Sequence, residues 1–224
     1  LPMLSWDDDK LFSRLAEIKK EFGADRNSLY KHLVHAVNFG QGAKGAQDKV
    51  YKETDIIYDT KLLQRVMDIY RELFPSIPRW QNTVRLQADR DGHLRNAFNY
   101  CHRFNHVFGH KIMPGGKWEK VPGDDAEAVL AFKPQSNAAG IMKEAALVFY
   151  FEMFEAIGQY LRMTLHDELF FQCPSDKVEQ VDRLSREVME APVKVLPLPE
   201  SYGMGPYLSI LTESKQGSPW GIMR

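Results

Sequence analysis

Cysteine, long apolar runs and a strong net charge are all lacking in this chain of 224 residues. Its two cysteines, Cys101 and Cys173, are too few for a disulfide framework, so we expect a reducing compartment. Because no run is apolar enough to cross a bilayer and nothing resembles a signal peptide, we expect a cytoplasmic protein without membrane contact. The formal net charge of −1 excludes a uniformly basic nucleic-acid binder.

Charge is nevertheless unevenly distributed along the chain. Residues 61–111 carry nine Lys or Arg and four Asp or Glu, a balance of +5, and residues 124–200 carry seven and fourteen, a balance of −7. The basic stretch could face a phosphate backbone, where charge neutralisation drives affinity. The acidic stretch could hold a cation. Ordinary mixed surface charge also accounts for both balances.

Three polar residues, His166-Asp167-Glu168, separate two short apolar runs at 161–165 and 169–173. This pattern predicts a β-hairpin with a tight polar turn. Two carboxylates at such a turn can hold Mg²⁺, which takes a few carboxylate oxygens and completes its shell with phosphates and water. The hypothesis is a metal-dependent phosphoryl- or nucleotidyl-transfer site with Asp167 as a ligand, although a solvated acidic turn has the same sequence.

A helix is predicted over 26–38, and Gly40 ends it. Its apolar residues recur at helical spacing and predict a buried stripe: Leu29, Leu33, Ala36 and Val37. The opposite face repeats every four residues: Asn27, Lys31, His35 and Phe39. A lysine on this face can neutralise a triphosphate, and an aromatic ring at its end can stack on a base. An ordinary amphipathic helix with a polar outer face is the alternative.

Together, these segments resemble the family A DNA polymerases, the bacterial polymerase I-like group. Motif B of that family consists of an Arg, three residues, a Lys, a further seven residues and then Tyr-Gly. Lys31 and Phe39-Gly40 match the second half of this motif, with Phe in place of Tyr. Motif C is His-Asp-Glu between two strands and is matched at 166–168. Residues 135–143 are similar to the start of a long palm helix, and 217–221 to the Gly-x-x-Trp ending. With His35, and with Asn38 before the Phe-Gly pair, the segment most resembles that of phage-encoded members of the family.

Two features depart from the family pattern. Asn27 stands four residues before Lys31, where motif B has its arginine, and Arg26 lies one residue earlier, about 100° around the helix. Motif A, which supplies the other metal-binding aspartate, is not recognised. The acidic cluster at 7–9 instead opens a helix, where the helix dipole favours acidic side chains. We therefore expect motif A and the thumb to come from a missing polypeptide segment or a partner subunit.

The element pattern predicts an α+β fold. Helices are predicted at 8–22, 26–38, 44–54, 60–73 and 77–89, and the resemblance makes residues 1–125 the fingers subdomain. Residues 126–224 are expected to form the C-terminal part of the palm, an antiparallel sheet with flanking helices.

Four local features are also predicted. A buried stripe is expected in the helix at 60–73: Leu62, Val66, Ile69 and Leu73. Residues 113–125 are predicted as a loop, and a long helix is expected to follow Gln135. A last strand pair near 193–198 and 207–211 is expected to join the sheet of the 161–173 hairpin.

The resemblance implies template-directed DNA synthesis from deoxynucleoside triphosphates (dNTPs) on primer–template DNA in a bacterial or phage-infected cell. Asp167 and Glu168 are the implied metal ligands in a two-magnesium site that is completed by an aspartate outside this chain. His166 is expected to contact the primer terminus, and Lys31 to neutralise the triphosphate.

The remaining implied contacts are with substrate and DNA. Arg26 is expected to hold the terminal phosphate, and His35 lies where the family packs a residue against the incoming sugar. Phe39 is expected to occupy the place of the template base until the fingers close. Gln135 is expected to contact the minor groove of the primer–template duplex. Arg95 and Arg103 are expected to contact the DNA backbone.

Parts of the sequence are compatible with other functions. A non-catalytic DNA-binding or polymerase-accessory subunit is the main alternative, since motif A is not recognised. A metal-dependent nuclease fits less well, because Lys31 and Phe39 on one helix face suit a nucleotide. Residues 40–45 lack the lysine-hydroxyl ending of a P-loop. A zinc site would use ligands whose spacing matches no common pattern: Cys101, His102, His106 and His110.

Overall fold

The computed structural model describes residues 13, 14, 17, 20, 29–203 and 205–217, and it confirms the α+β fold. Its helices are α1 (Lys31–Asn38), α2 (Ala43–Thr54), α3 (Thr60–Leu73), α4 (Ser76–Asp91), α5 (Ala126–Phe151) and α6 (Val178–Met189). Its strands are β1 (His93–Arg95), β2 (Cys101–Arg103), β3 (Phe108–Ile112), β4 (Trp118–Pro122), β5 (Leu161–Leu165), β6 (Glu168–Phe171), β7 (Val193–Pro197) and β8 (Tyr207–Leu208). No helix in these ranges is both long and apolar enough to cross a membrane.

The chain divides into two compact units. The first contains the described residues up to Leu94 together with Arg103–Ala131, and the second contains Arg95–His102 and the described residues from Phe132 onward. The assignment of 1–125 to fingers and 126–224 to palm stays a prediction.

Helices α1, α2 and α3 enclose a core in the first unit. The stripe predicted for α1 is confirmed, and its residues pack with buried residues of the next two helices: Leu29, Leu33, Ala36, Val37, Ala46, Val50, Leu63 and Met67. The stripe predicted for α3 is wrong. Leu63 and Met67 are fully buried, whereas Leu62, Ile69 and Leu73 are about half exposed, so the buried face is rotated by about one residue.

The second unit has its core where α5, α6 and the β5–β6 hairpin meet. Phe149, Ile157 and Val181 are buried there, and Leu169 and Phe171 of β6 pack against them. The rings of Phe149 and Phe171 meet edge to face, with centroids 5.3 Å apart. A two-stranded ribbon is only marginally stable alone, so this packing is what fixes the hairpin.

The described strands form four separate two-stranded sheets, β1–β2, β3–β4, β5–β6 and β7–β8. The expectation that the last pair joins the 161–173 hairpin is therefore wrong for the described strands.

Two predicted boundaries are also wrong. The predicted loop 113–125 contains β4, and the long helix begins at Ala126 rather than after Gln135. Proline commonly interrupts a helix, but α5 continues through Pro134. The first turns of α5 belong to the first unit, and Ala126, Val129 and Leu130 are buried there.

Candidate nucleotide-binding helix and carboxylate hairpin

One outer face of α1 brings together three of the predicted nucleotide-binding side chains. Lys31 and His35 are exposed and Phe39 is half-buried. The rings of His35 and Phe39 meet edge to face, with centroids 4.4 Å apart and planes at 69°. This face therefore presents a cation, an imidazole and an aromatic ring side by side, as the four-residue spacing predicts.

The end of α1 is fixed by buried contacts that the sequence did not indicate. Gln81 of α4 is buried, and its Nε2 donates to the Val37 carbonyl at 2.6 Å and the Asn38 carbonyl at 3.0 Å. The hydroxyl of Tyr70 donates to Asn38 Oδ1 at 3.3 Å. The last carbonyls of a helix often have no partner within it. Gln81 therefore supplies a donor to the Asn38 carbonyl and a second donor to the Val37 carbonyl, which also accepts from the Gly40 backbone N–H at 3.1 Å.

Gly40 is confirmed as the residue that ends this helix. Its φ of +76° lies in the left-handed region that favours glycine. A Cβ at this position would meet the Arg85 guanidinium and would lie 2.8 Å from Leu130 Cδ1. Arg85 is itself held by a hydrogen bond to the Ala126 carbonyl at 3.2 Å, and burial lowers the pKa of its guanidinium.

Several cations surround His35. Partial burial lowers the pKa of His35, and the nearby Lys49, His32 and Lys31 lower it further, while Glu53 acts in the opposite direction. His35 is therefore neutral near pH 7 even though anionic Glu53 lies nearby. Lys49 is a second lysine beside this face that sequence reasoning missed, because only the packing of α2 against α1 brings it there.

The predicted His-Asp-Glu hairpin is confirmed. Strands β5 and β6 are antiparallel, and Leu165 pairs with Glu168, so His166 and Asp167 form a two-residue turn. His166 has a φ of +52°, which is uncommon outside glycine, although histidine is among the side chains enriched there. Backbone in sparsely populated conformations is concentrated at functional sites.

Alternation along β6 decides which side chains leave the core. Leu169 and Phe171 pack inward, so Glu168 points to the opposite face, and it is exposed together with Asp167 and His166. The hairpin therefore presents two adjacent carboxylates and an imidazole to solvent from a ribbon anchored by its apolar face.

The carboxylate pair has the donor chemistry that Mg²⁺ prefers, hard anionic oxygens in small number. Within the described ranges, no group of three or more His, Cys, Asp or Glu side chains is placed to hold a metal ion. Asp167 and Glu168 are adjacent and both exposed, so substrate phosphates, water or a further carboxylate would have to complete any metal site at this turn. Two of the three histidines of the possible zinc site have other contacts: His106 Nδ1 lies 3.1 Å from Asp124 Oδ2, and the His102 ring stacks on Phe132.

The segment around Gln135 lies on α5, with the Gln135 side chain exposed. A buried asparagine, Asn96, ties the preceding loop to this helix through a 3.0 Å hydrogen bond from its Nδ2 to the Ser136 carbonyl. Asn137 Oδ1 accepts from the Ala97 backbone N–H at 2.9 Å. Gly140 packs directly against the Phe98 ring, which leaves no room for a side chain.

The other predicted contacts are divided between the two units. Arg95 is exposed and its Nη1 donates to the Asn99 carbonyl at 3.2 Å and to Asn99 Oδ1 at 3.1 Å, while Arg103 is exposed on β2. Arg26, Asn27, the aspartates at 7–9 and residues 218–221 of the predicted ending lie outside the described residues. Lys31, His35 and Phe39 belong to the first unit, and Gln135, His166, Asp167 and Glu168 belong to the second.

The model of DNA polymerase family A matches residues 11–209. The chain belongs to DNA polymerase family A.

Individual relatives agree with this family. The chain is 27% identical over 191 residues to the thermostable DNA polymerase I of Thermus aquaticus, covering 82% of this chain and 21% of the relative. It is 35% identical over 124 residues to DNA polymerase I of Deinococcus radiodurans, covering 50% and 13%. A DNA polymerase of a Mycobacterium phage is 24% identical over 157 residues, covering 68% and 22%. The matched region thus spans about a fifth or less of the length of these relatives.

Proposed function

We propose that this chain takes part in template-directed DNA synthesis as the fingers and C-terminal palm portion of a DNA polymerase. Two separate features carry the proposal in a chain of this family: the α1 face of Lys31, His35 and Phe39 in the first unit, and the anchored hairpin that exposes Asp167 and Glu168 in the second. The reaction joins a primer 3′-hydroxyl to the α-phosphate of a dNTP and releases pyrophosphate.

Asp167 and Glu168 would hold Mg²⁺, because their exposed carboxylates are the hard oxygen ligands that the ion prefers. When bound, Mg²⁺ supplies charge stabilisation for the attacking and leaving oxygens of an in-line displacement. His166, beside them in the turn, would contact the primer terminus. A further carboxylate, from a segment or subunit carrying motif A, would complete the site.

The α1 face would bind the incoming nucleotide. Lys31 would neutralise the triphosphate as a point charge, and Lys49 adds positive charge nearby. Arg26 would hold the terminal phosphate, neutral His35 would pack against the sugar, and Phe39 would hold the place of the template base until the fingers close.

The primer–template duplex would lie along basic and polar groups. Gln135, exposed on α5, would read minor-groove acceptors that all base pairs share. Arg95 and Arg103 would neutralise backbone phosphates. We further propose that the protein acts in the cytoplasm of a bacterial or phage-infected cell, since Cys101 and Cys173 are both free thiols.

Substitution Asp167→Asn tests the metal ligand. Removing one anionic ligand should lower primer extension with magnesium and four dNTPs by about a hundredfold or more, because the loss of metal-centred charge stabilisation is worth several kcal/mol. The assay uses the chain alone and the chain purified from its native source with whatever co-purifies. Duplex DNA binding should be retained.

Asp176→Asn is the matched control, since Asp176 is another exposed carboxylate of the same unit. It should leave synthesis unchanged. Synthesis that is equally unaffected by Asp167→Asn would remove Asp167 from the site. Synthesis only with a co-purifying chain would identify a partner that carries motif A.

A non-catalytic DNA-binding or accessory role is the second candidate. It is favoured by one observation, that the described residues offer only two clustered carboxylates at the hairpin. Absence of synthesis in every preparation, with duplex binding intact, would favour this role over the enzyme.

A further inference from the structure

The loop between β1 and β2 is organised by one buried asparagine. Asn96 has only 7% of its surface exposed. Its Oδ1 accepts from the backbone N–H groups of Phe98 at 3.0 Å and Tyr100 at 2.9 Å. Its own backbone N–H donates to the Tyr100 carbonyl at 3.0 Å. Asparagine side chains that bond to the backbone two residues on fix a turn, so this loop has one defined conformation.

The same side chain joins the loop to α5. Asn96 Nδ2 donates to the Ser136 carbonyl at 3.0 Å. A backbone N–H of the loop donates to Asn137 Oδ1 at 2.9 Å, and the Phe98 ring lies against Gly140. These three helical positions lie within about 100° of one another around the helix axis. The loop therefore holds one side of a single stretch of α5.

Gln135 lies at the start of that stretch and depends on it for its direction. Its side chain is exposed and has no hydrogen-bond partner among the described residues, so the placement of its backbone alone determines where it points. The helix is weak there, because Pro134 cannot donate to the carbonyl four residues before it. Contacts from outside the helix are therefore needed to fix this turn.

We propose that Asn96 is a positioning residue for DNA binding, which holds the turn of α5 that directs Gln135 at the duplex. The inference rests on the DNA contact proposed for Gln135. A hydrogen bond to a groove acceptor weakens steeply with distance and angle, so a small rotation of this turn would lose the contact. Asn96 itself is buried, and it acts through the Ser136 carbonyl without touching DNA.

A role in stability alone is the competing explanation for Asn96. A buried amide that loses its partner costs free energy wherever it lies. The two roles differ in one measurable respect. The effect of a positioning residue on DNA binding disappears once Gln135 is removed, whereas a separate structural effect adds to the loss of Gln135. A double-mutant cycle measures this difference.

Asn96→Asp removes the Nδ2 donor to Ser136 and keeps the Oδ1 acceptor that closes the turn. The affinity of the full chain for a fluorescent primer–template duplex is measured without magnesium or dNTPs, so catalysis does not enter the result. Gln135→Ala should raise Kd about fivefold, the worth of one hydrogen bond, and Asn96→Asp should raise it nearly as much. The double variant should bind as Gln135→Ala does, without a further loss.

Asn137→Asp is the matched control for charge. It adds the same negative charge beside Ser136 and keeps the acceptor that the loop uses. It should raise Kd less than Asn96→Asp does, and by the same factor with or without Gln135.

Gly140→Ala tests the same inference by a second route. The added methyl group displaces the Phe98 ring and so loosens the loop without a change of charge. It should raise Kd in the parent chain but not in Gln135→Ala. Circular dichroism checks that each variant is folded, and Gly140→Ala supplies the cycle if Asn96→Asp does not fold.

Additive effects of Asn96→Asp and Gln135→Ala, or equal effects of the two aspartates, would overturn the inference and leave Asn96 a structural residue. Unchanged binding by Asn96→Asp and Gly140→Ala would also overturn it, in a chain that Gln135→Ala weakens. A parent chain that does not bind the duplex, or unchanged binding by Gln135→Ala, would instead contradict the DNA contact proposed for Gln135, and the inference would fall with it.

Discussion

A single glycine determines how the nucleotide-binding helix ends. Gly40 has a φ of +76°, and a Cβ there would meet Arg85 and Leu130. Gly40→Ala should therefore lower the free energy of unfolding by about 1–3 kcal/mol, because it adds backbone strain and overpacking. Denaturant midpoints at equal slope measure this change.

Gly42→Ala is the comparison at the same scale. Gly42 has a φ of −85°, and a Cβ there would meet nothing within 4 Å. This substitution should change the free energy of unfolding by no more than about 1 kcal/mol, in either direction. Equal losses for the two alanines would show that Gly40 has no special conformational role.

At the scale of elements, α4 fixes the position of α1 through one buried amide. Gln81→Leu would leave the carbonyls of Val37 and Asn38 without their buried donor. The expected loss in the free energy of unfolding is about 1–3 kcal/mol. Faster hydrogen exchange in α1 would localise the effect. Asn82→Ala, at the exposed neighbouring position, should stay within about 0.5 kcal/mol of the parent.

The same scale shows how far periodicity predicts burial. In α1 only Val34 lies apart from the other apolar residues and is exposed, so a single stripe stands out and it is the buried one. In α3 two apolar stripes run side by side, because Leu62 precedes Leu63 and Val66 precedes Met67. Spacing alone cannot choose between them. Packing against α1 and α2 selects Leu63 and Met67 and leaves Leu62 half exposed.

At the scale of the whole molecule, exposed apolar surface predicts association. The end of α5 and the residues after it expose Leu147 by 48%, Tyr150 by 62%, Phe151 by 73% and Phe154 by 44%. Two-stranded sheets also leave strand edges open. We expect the isolated chain to self-associate as concentration rises, or to require a partner, which sedimentation velocity would measure.

Tyr150→Lys with Phe151→Lys should reduce this self-association by charging the apolar face. Leu211→Lys is the control, since Leu211 is 88% exposed elsewhere in the second unit. A parent chain that stays monomeric at all concentrations would contradict the prediction.

The sequence by itself determined the local features of this protein: the His166-Asp167-Glu168 turn, the face shared by Lys31, His35 and Phe39, the end of α1 at Gly40, and the family. The first three depend on residues within about ten positions of one another, where side-chain periodicity and turn chemistry act directly. The family follows from the order of several such motifs along the chain. Tertiary structure decided the rest: the buried side of α3, the contacts of Gln81 and Asn96, and the separate β7–β8 ribbon. The contacts of Gln81 and Asn96 join groups about 40 positions apart, Gln81 with Val37 and Asn96 with Ser136. Their hydrogen bonds form only after the chain has packed, so no local pattern encodes them.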